Sequence, residues 1–133
     1  MFDIIRTIGS ITRKLQIQSN HNFQRMNLGN NRFIYIIRVC ENPGMFIGEV
    51  ADQLSIDRTT AFRTIKNLER IGYVTFIDDE TDKRLRRVYP TQMSYKIYPE
   101  LHSFELFSSE ELLKNLNVSE RQQLLILLKK LMP

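Results

Sequence analysis

Tryptophan is absent from the 133 residues, and there are only one cysteine, two histidines, four prolines and five glycines. A single thiol closes no internal disulfide and makes no thiolate zinc site, so a reducing, cytoplasmic compartment is expected. His21 and His102 are too few and too scattered for a dedicated metal site, and no metal or cofactor is expected. No apolar run approaches the ~18–20 residues of a membrane span. The first fifteen residues carry Asp3, Arg6, Arg13 and Lys14, which argues against a secretory signal and leaves no membrane role. A Gly-rich phosphate loop and a nucleophile elbow are both missing. The carboxylates Asp78, Asp79, Glu80 and Asp82 crowd one polar turn and read as solvated. An enzyme is therefore not expected.

What is present looks like an ordinary soluble globule, with 42% hydrophobic and 26% charged residues. The length suffices for a proper core. The formal net charge of +4 says little, but its distribution says more. Residues 1–38 carry a net of +5 and residues 39–56 a net of −3. Residues 57–91 carry +2, with clustered arginines, and the remainder balances. A basic face for a nucleic acid and a plain solvated surface both fit this charge alone.

Hydrophobic spacing gives the elements. Ile4, Ile8, Ile11 and Leu15 mark an amphipathic helix over about 2–17. A polar stretch over 18–25 reads as a loop. A second helix over about 28–40 stops at Asn42-Pro43-Gly44. A short helix over 47–54 turns through Ser55-Ile56-Asp57 into a longer one over 58–71. Asp57 is a candidate N-cap, Phe62, Ile65 and Leu68 form the expected buried stripe, and Gly72 ends the helix. The period then changes. Residues 73–77 and 84–89 read as two strands joined by the acidic turn. Pro90 ends the hairpin. A helix from about Gln92 should break or bend at Pro99. Ser108–Glu111 and Ser119–Gln122 have capping-box spacing, and the second opens a final helix over about 120–131.

That last helix is apolar around most of its circumference, from Leu124 to Met132. A helix of this kind is buried on more than one side. Packing against a second copy, together with the first helix, is expected. A tail folded back into its own core is the alternative.

A short helix, a three-residue turn, a longer helix and a hairpin make a winged helix-turn-helix. The expected fold is mainly α with a small β-hairpin wing, flanked by N- and C-terminal dimerisation helices. Its parts are residues 1–27 for the first helix and loop, 28–91 for the DNA-binding lobe, and 92–133 for the helices completing the dimerisation region. Reading a major groove needs short polar and long basic side chains on the outer face of a helix. The recognition helix 58–71 offers Arg58, Thr59, Thr60, Arg63 and Lys66. The wing 73–89 carries Lys83, Arg84, Arg86 and Arg87, with strand alternation setting Arg84 and Arg86 on one face and Arg87 on the other. Guanidinium groups at such a tip suit a minor groove or flanking phosphates. A plainer reading of each residue is solvated surface, and of Arg84 beside Asp82 a turn salt bridge.

The run Leu68-Glu69-Arg70-Ile71-Gly72-Tyr73-Val74, the wing triplet Asp82-Lys83-Arg84, Val88, Thr91 and Asn42-Pro43-Gly44 resemble the multiple-antibiotic-resistance regulator (MarR) family. The likeness covers about residues 28–98. It implies a homodimeric regulator of transcription, more often a repressor than an activator, that reads a pseudo-palindromic operator. It also implies that Asp82 orients Arg84 for the minor groove. Departures stand at Phe76, where the family usually has arginine, at Lys66, where many members have aspartate, and at Ser94, usually glycine. Small effectors bind many members between the dimer region and the DNA lobe. His21, Arg32, Tyr35, Arg38 and Tyr95 are the candidate lining, unless they simply serve the core. Redox-sensing relatives use a cysteine in the first helix, whereas Cys40 ends the second beside Glu41. The competing function is a winged-helix module for protein contact without specific DNA binding.

Overall fold

A computed structural model of the chain describes residues 1–132. It is mainly helical with one small antiparallel sheet, as the hydrophobic pattern requires. Two compact units are formed, one over Met1–His102 and the other from Ser103 onward. No helix among the described residues is long and apolar enough to cross a membrane.

The first helix, α1 (Phe2–Phe23), is longer than its apolar repeat. The stretch expected to be a loop continues the helix and ends in a 3-10 turn over Gln24–Met26. Only Ser19 and Phe23 of α1 are buried, so the polar residues between them can face water while the helix runs on. Asn20 then ties the next turn, its Oδ1 accepting the Asn30 amide at 2.7 Å. Asn27, Asn30 and Asn31 all take positive φ, which asparagine tolerates better than most residues. Helix α2 (Arg32–Glu41) therefore starts later than its apolar pattern, and Leu28 is buried ahead of it.

A two-residue strand, β1 (Met45–Phe46), leads into α3 (Ile47–Leu54), whose Val50 and Ala51 are buried. Ser55 takes a left-handed turn with φ 55°, and α4 (Arg58–Arg70) follows. Gly72, at φ +97°, allows the chain to leave α4, and the Tyr73 amide donates back to the Leu68 carbonyl. Strands β2 (Val74–Asp78) and β3 (Arg86–Pro90) pair from Val74 with Pro90 to Asp78 with Arg86. The sheet order is β1-β3-β2, with Met45 opposite Val88. The strand that the sequence does not announce is β1. The returning strand also begins at Arg86 rather than Arg84, which leaves Arg84 in the tip.

Phe23, Leu28, Ile36, Ile37, Ile65, Leu68, Val88 and Leu101 are fully buried and form the centre of the N-terminal unit. Helix α5 (Gln92–Leu113) holds Pro99 inside it and is not broken there. Ser108 lies inside α5 and starts nothing. In the C-terminal unit α6 (Val118–Leu131) is opened by Asn117 rather than Ser119. Asn117 Oδ1 accepts from the Glu120 amide and Glu120 Oε1 from the Asn117 amide, each at 2.9 Å. None of the residues of α6 is buried.

Candidate nucleic-acid interface

Helix α4 is positioned by its cap and by its small apolar face. The Asp57 carboxylate accepts from the Thr60 amide at 2.9 Å, satisfying one of the free donors of the first turn. The hydroxyl and amide of Thr60 hold the Asp57 carboxyl below its usual range. Ala61, Ile65 and Leu68 are the buried face. The expected stripe included Phe62, which is instead 49% exposed. Alanine is small enough for α4 to approach its neighbours closely, and this turns the helix so that the phenylalanine looks outward.

The outer face of α4 carries Arg58, Thr59, Thr60 and Arg63, all exposed. Arg58 also reaches Asp52 of α3 at 3.6 Å. Such a bridge between two exposed groups contributes little to stability. Lys66 is half-exposed and bonds Glu69 at 2.8 Å. Its ammonium also lies 5.2 Å from the centroid of the Phe76 ring, and Arg86 lies 5.9 Å from the same ring. Phe76 thus places one cation of α4 and one of the wing against a single aromatic ring.

The wing tip is built on Asp79, a residue the sequence reading left in solvated surroundings. It is only 9% exposed. One carboxylate oxygen accepts from the Thr81 hydroxyl at 2.8 Å and from the Asp82 amide at 3.0 Å. The other accepts from Arg87 Nε at 3.0 Å. These bonds, the Thr81 hydroxyl first, pull its pKa down to about 2. Arg87 extends this anchor. Its Nη1 donates to the Gly44 carbonyl at 2.8 Å, and its guanidinium lies 4.3 Å from the centroid of Phe46. The sequence pattern puts Arg87 among the DNA-facing residues, whereas its guanidinium here joins the wing to β1.

A depressed folded pKa sets the sign of a pH effect. Asp79 contributes stability above its unfolded pKa, near 4, and that contribution is lost as the pH falls toward about 2. Asp79→Asn should melt several degrees below the parent at pH 7. It should also lack the part of the acid-dependent fall that Asp79 supplies between about pH 4 and 2. Thermal melts across that range check it. Parallel curves for the two proteins would remove Asp79 from the anchor.

Beyond the anchor, Arg84 stands 90% exposed at the tip. Asp82 holds it in a fork, Oδ1 accepting Nε and Oδ2 accepting Nη2, both at 3.0 Å. Its backbone amide also donates to Asp82 Oδ1. The pairing lowers the Asp82 pKa and raises that of Arg84. The geometry fixes a cation at a protruding turn. Arg86 lies 3.6 Å from Asp78, and Lys83 is exposed. At the base of the wing, Ser94 Oγ donates to the Tyr73 carbonyl at 2.5 Å and Tyr73 Oη to the Met26 carbonyl at 2.6 Å. Ser94 thereby has a structural task of its own.

The five residues singled out as an effector lining differ in exposure. Tyr35 is buried, bonded to Thr64 of α4, and burial raises its pKa. Arg38 lies 3.8 Å from Glu41, while His21 and Tyr95 are exposed and Arg32 is half-buried. A groove of about 260 Å³ lies elsewhere, in the C-terminal unit, with Leu116, Gln123, Leu124 and Leu127 in its lining. The Cys40 thiol is pushed up to about 11, by burial first and by Glu41 second. It is a poor thiolate at neutral pH. No cluster of three or more metal-ligating side chains occurs among the described residues.

Comparison with known proteins agrees with this geometry. The MarR family model matches residues 27–85. The uncharacterized HTH-type transcriptional regulator YybA of Bacillus subtilis is 36% identical over 128 residues, covering 96% of this chain and 85% of that protein. A crystal structure of a MarR family regulator from Listeria monocytogenes, complexed with a 26mer DNA, is 38% identical with a TM-score of 0.91. The match covers 99% of this chain and 88% of that one. A mutant MarR from E. coli, complexed with operator DNA, is 25% identical with a TM-score of 0.82, over 100% and 99% of the two chains.

Proposed function

The chain belongs to the MarR family of transcriptional regulators, and from that premise we propose that it is a homodimeric repressor reading a pseudo-palindromic operator. The observation that carries the reading is the separation of tasks on α4. Ala61, Ile65 and Leu68 hold it to the core, which leaves Arg58, Thr59 and Arg63 exposed on its outer side. The first turns of a recognition helix are the part that meets base edges. Arg63 reads a base, Arg58 and Lys66 meet flanking phosphates, and Asp82 aims Arg84 at the adjacent minor groove.

Dimerisation is supported by side chains that one copy leaves uncovered. Ile4, Ile5, Ile8 and Ile11 of α1 are exposed, as are Leu125, Ile126, Leu127 and Leu131 of α6. Apolar surface on this scale marks an interface. A second copy covers both helices, and the two-fold axis sets two recognition helices roughly one turn of DNA, about 34 Å, apart. Occupancy of a promoter by such a dimer blocks transcription.

Duplexes selected from a random library by the full-length protein test the reading. Two inverted half-sites spaced by about one helical turn are expected. A selected pool without inverted symmetry would refute it. Affinity should fall steeply with salt. Arg84→Ala should leave the melting temperature unchanged, weaken binding to all duplexes, and make the log–log salt slope shallower by about one per wing. An unchanged slope and affinity would remove the wing from the interface.

A further inference from the structure

Phe62 is the residue of α4 that fits neither the core nor a plain solvated surface. It sits in the second turn, beside Arg63, with half of its area exposed. On a helix its surface neighbours are the residues three and four away. These are Arg58, Thr59 and Lys66, which are at least partly exposed, and buried Ile65. A phenyl ring standing in water among two cations and a hydroxyl loses hydration free energy until something apolar covers it. Arg58 and Lys66 each also meet a carboxylate, Asp52 and Glu69, so the covering molecule follows from the proposed DNA contact of this helix face. Duplex DNA presents one apolar group in its major groove, the 5-methyl of thymine.

We propose that Phe62 reads thymine in each half-site by packing its ring edge against the 5-methyl group, so that sequence choice combines one apolar contact with the polar contacts of Thr59 and Arg63. The inference rests on the DNA-binding reading and adds the base that one position prefers. It also accounts for the turn of α4 about its axis. Burying Ala61 in place of Phe62 moves the ring to the edge of the outer face, beside Lys66 and Thr59.

The test uses the full chain and a duplex recovered by selection, compared with the same duplex carrying deoxyuridine for thymidine at single positions. The exchange removes one methyl and keeps the Watson–Crick pairing. The parent protein should lose about fourfold in affinity for each contacted methyl removed. Phe62→Ala should bind the thymidine duplex more weakly than the parent and should bind both duplexes alike. Phe62→Leu, which keeps an apolar side chain, should retain part of the difference. Equal binding of thymidine and deoxyuridine duplexes by the parent at every position would overturn the proposal and leave DNA recognition standing. So would a thymidine preference that survives in Phe62→Ala. Failure to bind any duplex would overturn the regulator reading and this inference with it.

Discussion

Leu125→Glu will produce a folded monomer that has lost tight operator binding. Leu125 is exposed and α6 contributes nothing to the core of a single chain, so the substitution removes no intrachain packing of consequence. In the proposed dimer each copy strands a carboxylate in apolar contact. A buried charge without a partner costs about 3–5 kcal/mol, and two-fold symmetry imposes that cost twice. The dimer dissociation constant should then rise by more than about a thousandfold. A monomer holds one half-site, so operator affinity should fall toward the non-specific level. Light scattering and a gel shift on the same preparation check both. An unchanged dimer would place the interface elsewhere.

Arg63→Ala will erase sequence discrimination more than it weakens general DNA binding. Arg63 is exposed in the second turn of α4, and its charge is the smallest of the causes that hold the Asp57 carboxyl down, behind the Thr60 bonds, so its removal leaves the cap in place. A bidentate arginine–guanine contact contributes about 1–3 kcal/mol of discrimination, and a dimer loses two. Affinity for the selected operator should drop by roughly two orders of magnitude, while affinity for random duplex falls by far less. Competition titrations with the two duplexes measure the ratio. An equal loss on both would reduce Arg63 to a phosphate contact.

The fold was largely legible because its signals are local. Asp57 caps α4, Gly72 ends it and the change to β-branched residues at Val74 marks the wing, all within a few neighbours in sequence. What escaped reading depends on distant partners or on small residues. Ala61 contributes little to an apolar periodicity, so the pattern chose Phe62 for the core and mis-set the face of α4. Asp79 lies in an acidic run, and only the fold brings Arg87 across the hairpin to its carboxylate. A strand as short as β1 has no period to detect, yet it pairs with β3 and its Phe46 ring receives Arg87. The tip of the wing fared better. Asp82 and Arg84 are two residues apart, and their fork is a local consequence of the turn.

One measurement bears on all of this at once, the mass of the complex formed with a selected duplex at low ionic strength, followed by sedimentation. Two chains per duplex, dissociating as salt is raised, is the expected result. A species of single-chain mass whose sedimentation the duplex does not change would contradict both the dimer and the groove-reading assignment.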